Sequence, residues 1–239
     1  MSINKEDRLI ILDTETTGID PKQGHRIIEI GCVEMIERRL TGNNFHVYIN
    51  PMREIEDEAI GVHGITNEFL VDKPLFKDIA DEFFDYIRGG ELVIHNAPFD
   101  IGHMDNEFSI LWRDWSQTAD FCGIVDTLVM AREKHPGQKN TLDALCRRYE
   151  IDNSHRSLHG ALLDSEILAD VYLRMTGGQF AMDLAQQLKS GGGTGDNTGF
   201  KARDLTIVAA SESELEQHEA RLDLVEKSGA ALWRQSPES

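Results

Sequence analysis

The sequence predicts an α/β domain over residues 1–176, then a flexible linker over 177–200 and a small C-terminal α/β segment over 201–239. Three observations carry this. Short apolar runs closed by turn residues alternate with stripes of period three to four; the alternation stops near residue 176; and a glycine-rich stretch follows before apolar residues return.

Arg8 to Leu12 (Arg-Leu-Ile-Ile-Leu), an apolar run between polar flanks, is the first strand. Residues 26–37 and 44–49 supply two more, and Thr41-Gly42-Asn43 between them has hairpin chemistry, so the two pair antiparallel. Behind Pro74, the residues Leu75, Ile79, Phe83 and Tyr86 or Ile87 share one face of a helix over 74–87. A strand at 91–95, a helix over 98–112, a short strand at 121–125 and helical sequence ending before Pro136 follow. The helix over 141–149 buries Leu142, Leu145 and Tyr149. The last long helix, after His159, aligns Leu163, Ile167, Val171 and Met175 and stops at Gly177-Gly178.

Residues 177–199 lack apolar periodicity and read as a tether. Leu205 to Ala210 resembles a strand, and Ser211-x-x-Glu214 is a capping box opening a helix to about Lys227. Leu215, Leu222, Val225 and Trp233 are too few for a separate core and too apolar for a solvated end, so a partner surface is their destination.

A formal net charge of −18 argues against coating nucleic acid through a broad basic face. A polyanionic substrate would have to be held locally, and clustered carboxylates attract phosphate once divalent cations bind them. Cys32, Cys122 and Cys146 form no C-x-x-C pair and read as reduced core residues. No apolar run reaches a membrane-spanning length, and the charged start is unlike a signal peptide, so a cytoplasmic location is expected.

Asp13 and Glu15, in Asp-Thr-Glu-Thr-Thr-Gly after the first strand, lie two residues apart and so share one face of an extended chain. Asp100 ends His95-Asn-Ala-Pro-Phe-Asp100 at a strand-to-helix junction, where α/β sheets place ligands. Asp164 follows His159 by five residues, which would set them about 140° apart on one helix, so His159 belongs just before the helix. Each has a plainer reading alone: solvated strand-end acids, a carboxylate complementing a helix dipole, a surface histidine.

Together Asp13, Glu15, Asp100, His159 and Asp164 resemble the DEDDh family of 3′-to-5′ exonucleases, whose three motifs match in order across residues 8–176. The resemblance implies an RNase H-like fold with a mixed five-stranded sheet flanked by helices. Arg38-Arg-Leu-Thr-Gly-Asn-Asn-Phe-His46, Ser157-Leu-His-Gly-Ala-Leu-Leu-Asp164 and His218-Glu-Ala-Arg-Leu-Asp-Leu-Val225 narrow it to the proofreading epsilon subunits of bacterial DNA polymerase III.

That likeness implies removal of mismatched 3′-terminal nucleotides from DNA by two-metal-ion hydrolysis, with release of nucleoside 5′-monophosphates. Asp13, Glu15, Asp100 and Asp164 would hold two divalent cations, Mg²⁺ or Mn²⁺, with Asp100 acting directly or through water. His159 would take the proton of the attacking water, a role suited to a side chain that titrates near neutral pH. Glu58, His63, Asn96 and Phe99, with Glu15 and Asp164, would bind the terminal nucleotide. Glu58 has an alternative as a helix cap and Phe99 as core. Implied partners are DNA 3′ ends, the polymerase alpha subunit through the C-terminal segment, the sliding clamp through Gln179-Phe-Ala-Met-Asp-Leu184, and a theta subunit where one exists. Two rivals stand beside this reading: a free-standing DEDDh nuclease acting on RNA or repair intermediates, and a non-catalytic polymerase-stabilising subunit.

Overall fold

The computed structural model describes residues 8–112, 117–154, 158–190, 213, 218–220 and 222–223. The chain divides into compact units Met1–Lys189 and Ser190–Ser239. In the second, the described residues are helical and Leu222 is buried. These positions fall in the helix expected from Ser211, while the strand expected at 205–210 and the glycine-rich part of the linker lie outside the described residues.

The first unit is built on β1 (Arg8–Thr16), β2 (Ile27–Ile36), β3 (Arg39–Leu40), β4 (Phe45–Tyr48), β5 (Glu91–Ile94) and β6 (Gly123–Asp126). Their order is β3-β2-β1-β5-β6, with β4 also paired to β2. The pairs β1/β2, β2/β3 and β2/β4 are antiparallel, and β1/β5 and β5/β6 are parallel, so the sheet is mixed. The sixth strand is the two-residue β3, which the sequence did not announce.

Helices α1 (Asp57–His63), α2 (Asn67–Leu70), α3 (Phe76–Ile87), α4 (Ala97–Leu111), α5 (Thr127–Lys134), α6 (Leu142–Tyr149) and α7 (Ala161–Ser190) complete the unit. Alternation along β1 sorts its side chains between two layers. Ile10 and Leu12 pack with Ile79, Phe83, Met104 and Phe108 of α3 and α4. Ile11 packs instead with Leu168 and Ala169 of α7. By the same period Thr14 turns toward α4, while Asp13 and Glu15 turn toward α7.

Two expectations need correction. The chain reverses at Glu37-Arg38, not at Thr41-Gly42-Asn43: Ile36 pairs with Arg39, and both turn residues have positive φ, 49° and 63°. This left-handed pair suits the twist of a two-residue hairpin. Arg38 is held there by hydrogen bonds from Nη1 to Thr176 Oγ1 (2.9 Å) and from Nη2 to Leu173 O (2.9 Å). Second, α7 does not stop at Gly177-Gly178 but runs to Ser190. Two glycines cost a helix about 2 kcal/mol, and the good helix formers after them (Ala181, Met182, Leu184, Ala185, Gln186, Gln187, Leu188 and Lys189) offset that. Gln179–Leu184 therefore lies within α7. Smaller shifts place Pro74 two residues before α3, and add α1 and α2, whose short length leaves little periodicity to read.

Candidate active site and metal centre

Strand β1 outruns its parallel neighbour. Pairing with β5 ends at Ile11↔Val93, whereas pairing with β2 continues through Asp13↔Gly31 and Glu15↔Glu29. The end of β1 thus has an edge not covered by β5. Asp100, in the first turn of α4, fills it: Oδ1 accepts from Thr14 N (3.0 Å) and Thr14 Oγ1 (2.6 Å). Burial pushes the Asp100 carboxyl up to about 7, with Asp126 adding to the rise and the Thr14 hydrogen bonds opposing it.

Helix α7 sits against β2 at Gly31. A β-carbon there would lie 2.2 Å from Ala161 C and Leu162 N, so only glycine admits this approach. Glu29 Oε2 accepts from Ala161 N (3.1 Å) and Ser165 Oγ donates to Gly31 O (2.9 Å), pinning the helix start from both sides. Glu29 is buried and its other oxygen meets His46 Nε2 at 2.7 Å.

This docking aims Asp164 at β1. His159 precedes α7, its N–H donating to Val62 O (3.2 Å), and its Nδ1 is 3.3 Å from Asp164 Oδ2. Ligand atoms of Glu15, His159 and Asp164 all lie within 4.8 Å of one another. Two carboxylates and an imidazole gathered so closely, both acids buried, suit a divalent cation that takes oxygen and nitrogen donors. Asp13 shares a cavity wall with His159 and Asp164. Asp100 is outside the three-residue group, turned to Thr14.

Cavities open on either side of these acids. The smaller, about 230 Å³, is lined by Glu15, Ile19, Glu58, Val62, His63 and Phe99, among others. His63 is buried, and Nδ1 accepts from Ile65 N (3.0 Å), so its proton resides on Nε2, a buried donor with no hydrogen-bond partner. Burial also holds its pKa below the usual imidazole value, which keeps the ring neutral. Glu58 is in the first turn of α1, yet also lines this cavity. Phe99 lines it as well, its ring 4.7 Å from that of His103. The larger cavity, about 610 Å³, contains Asp13, Asn96, His159 and Asp164. Asn96 sits there in the left-handed region (φ 73°), with its N–H donating to Asp126 Oδ1 (3.2 Å).

A model of the exonuclease family matches residues 10–172. DNA polymerase III subunit epsilon of Salmonella typhimurium is 59% identical over 236 residues, covering 95% of this chain and 97% of that one. The chain belongs to the DNA polymerase III epsilon family of exonucleases. Its Escherichia coli relative is 58% identical over the same coverage. Among solved structures, exonuclease X in complex with 5′ overhanging duplex DNA matches with a TM-score of 0.57 at 27% identity, over 72% of this chain and 93% of that one. The nuclease domain of 3′hExo, a DEDDh family member bound to rAMP, shares the fold at a TM-score of 0.61 and 22% identity, with coverage of 72% and 93%.

Within this epsilon-family chain, motif reading missed the residues that hold the site rather than form it. Thr14 lies inside the Asp-Thr-Glu motif, but its role depends on Asp100, 86 residues away. Glu29 and Gly31 carry no motif of their own; their signal is the register that sets them opposite Glu15 and Asp13.

Proposed function

We propose that the chain is a metal-dependent 3′-to-5′ exonuclease that removes mismatched 3′-terminal nucleotides during DNA replication, releasing nucleoside 5′-monophosphates. The observation that carries this is the convergence of Glu15, His159 and Asp164 ligand atoms within 4.8 Å, between a nucleoside-sized cavity and a larger one.

In this reading Asp13, Glu15 and Asp164 hold divalent cations, Mg²⁺ or Mn²⁺, with Asp100 assisting. Such ions would generate hydroxide near neutral pH and neutralise charge on the phosphate and the departing 3′ oxygen. His159 accepts the proton of the attacking water, and Asp164 Oδ2 beside Nδ1 orients the ring. His63 Nε2–H donates to the terminal nucleotide, Phe99 and Val62 give its base an apolar, sequence-tolerant surface, Glu58 and Glu15 complete the subsite, and Asn96 reaches the nucleotide from the larger cavity. A mismatched end frays more often than a paired one, so it reaches this subsite more often.

Residues 1–176 carry the chemistry in this proposal, 177–200 connect, and 201–239 bind the polymerase alpha subunit. Gln179–Leu184 docks on the sliding clamp, and theta binds the exonuclease domain where it exists. Tethering raises the local concentration of a strongly acidic enzyme at the primer end. None of the described helices is long and apolar enough to cross a membrane, and a cytoplasmic location accords with a replication role.

The test is release of 3′ mononucleotides from paired and mismatched primers with Mg²⁺, for wild type and Asp13→Ala, with and without alpha. Faster release from the mismatch, lost in the variant and enhanced by alpha, is expected. Release indifferent to alpha would favour a free-standing nuclease, and no release would favour a structural subunit.

A further inference from the structure

The two cavities beside the acids differ in chemistry. The smaller offers Phe99, Val62, Ala59 and Ile19, surfaces for a base. The larger faces Asp13, His159 and Asp164 with Arg132, Gln138 and Asn140. Arg132 lies in the last turn of α5 and is exposed. Among the described residues it has no hydrogen-bond or ion-pair partner, and it is the one arginine or lysine lining the cleft.

The neighbouring cation is committed elsewhere. Arg148 donates to Asn140 Oδ1 (3.0 Å) and Lys139 O (2.8 Å). Asn140 in turn donates to His135 O (3.3 Å) and Gln138 O (3.1 Å), while His135 Nε2 meets Tyr149 OH at 2.7 Å. The loop after α5 is therefore braced from within, and Arg132 stands beside a built wall. Asp143, a carboxylate on the same wall, accepts from Asn153 Nδ2 (3.0 Å).

We propose that this cleft receives the strand that remains after cleavage, and that Arg132 binds a phosphate on the 5′ side of the bond being cut. The inference rests on the nuclease reading above. If the terminal nucleoside fills the apolar cavity, the continuing strand leaves the acids on their other side. There its phosphates need a cation that a chain of net charge −18 must supply locally. Arg132 contributes affinity for the strand and takes no part in bond cleavage.

The test compares the full-length wild type with Arg132→Gln and Arg132→Lys on two substrates: single-stranded oligodeoxythymidylate, and thymidine 5′-monophosphate p-nitrophenyl ester, which has no nucleotide 5′ to the bond. Arg132→Gln should raise the oligonucleotide KM about 10-fold with little change in kcat. It should also lower the slope of log KM against log salt by about 0.7. The ester should be hydrolysed as by wild type, and Arg132→Lys should keep most of the salt dependence. Fluorescence anisotropy with labelled oligonucleotide and Ca²⁺ reads the same loss as weaker binding, independently of turnover. An unchanged oligonucleotide KM and affinity would overturn the proposal, as would an equal loss on the ester, which would place Arg132 at the scissile phosphate. A wild type inactive on both substrates would instead overturn the nuclease reading, while anisotropy still decides whether Arg132 holds the strand.

Discussion

Thr14 holds Asp100 twice, through its amide at 3.0 Å and its hydroxyl at 2.6 Å. The middle residue of the Asp-Thr-Glu motif thereby ties the end of β1 to the first turn of α4, while its neighbours Asp13 and Glu15 face α7. Thr14→Val keeps the shape and the amide bond but removes the hydroxyl. A hydrogen bond to a charged or partly charged group is worth about 1.5–3 kcal/mol. Turnover on oligonucleotides should fall at least about 10-fold, and Thr14→Ser should restore most of it.

Gly31 decides whether α7 can deliver Asp164 and His159. Gly31→Ala puts a methyl group 2.2 Å from helix backbone that has no flexible end to move aside. Destabilisation of about 3 kcal/mol or more is expected by denaturant titration, with loss of metal-dependent activity in the folded fraction. Wild-type stability in this variant would show that the helix is not held at this contact.

Asp100 gives the metal-free protein a pH dependence of defined sign. Its carboxyl is raised from 3.8 to about 7, so the folded state binds the proton more tightly than the unfolded chain. The stability this contributes is fully present below the unfolded value and is lost as pH rises through the folded one. Between pH 5.5 and 8 in EDTA, wild type should lose up to about 2 kcal/mol that Asp100→Asn does not. Parallel pH profiles for the two proteins would contradict this.

His63 lines the smaller cavity and carries a buried Nε2–H. His63→Phe retains an aromatic wall without the donor. A drop in kcat/KM of about 10-fold, with thermal stability near that of wild type, is the expected outcome of steady-state kinetics and a melting curve. An unchanged kcat/KM would leave the residue as packing.

The approach of the acids could be read from sequence because it follows from short-range rules. Asp13 and Glu15 share a face by the period of a strand, and His159 and Asp164 converge because the first lies before the helix and the second on it. What holds them could not. The Thr14–Asp100 and Glu29–Ala161 contacts join positions 86 and 132 residues apart, and only the docking of α4 and α7 on the sheet brings them together. The β2–β3 turn escaped because its positive φ angles fall on Glu37 and Arg38, while the residues that advertise turns, Gly42 and Asn43, lie past it. The extension of α7 escaped because Gly177-Gly178 is a stop signal locally and is overridden by the helix formers beyond it.

The most direct test of the metal centre is calorimetric titration of Mn²⁺ into the full-length protein, beside Asp13→Asn, Glu15→Gln and Asp164→Asn. Saturable binding by wild type is expected, weakened at least about 10-fold by each substitution and falling as pH drops, because carboxylates must release protons to bind. Equal binding by wild type and all three variants would contradict it.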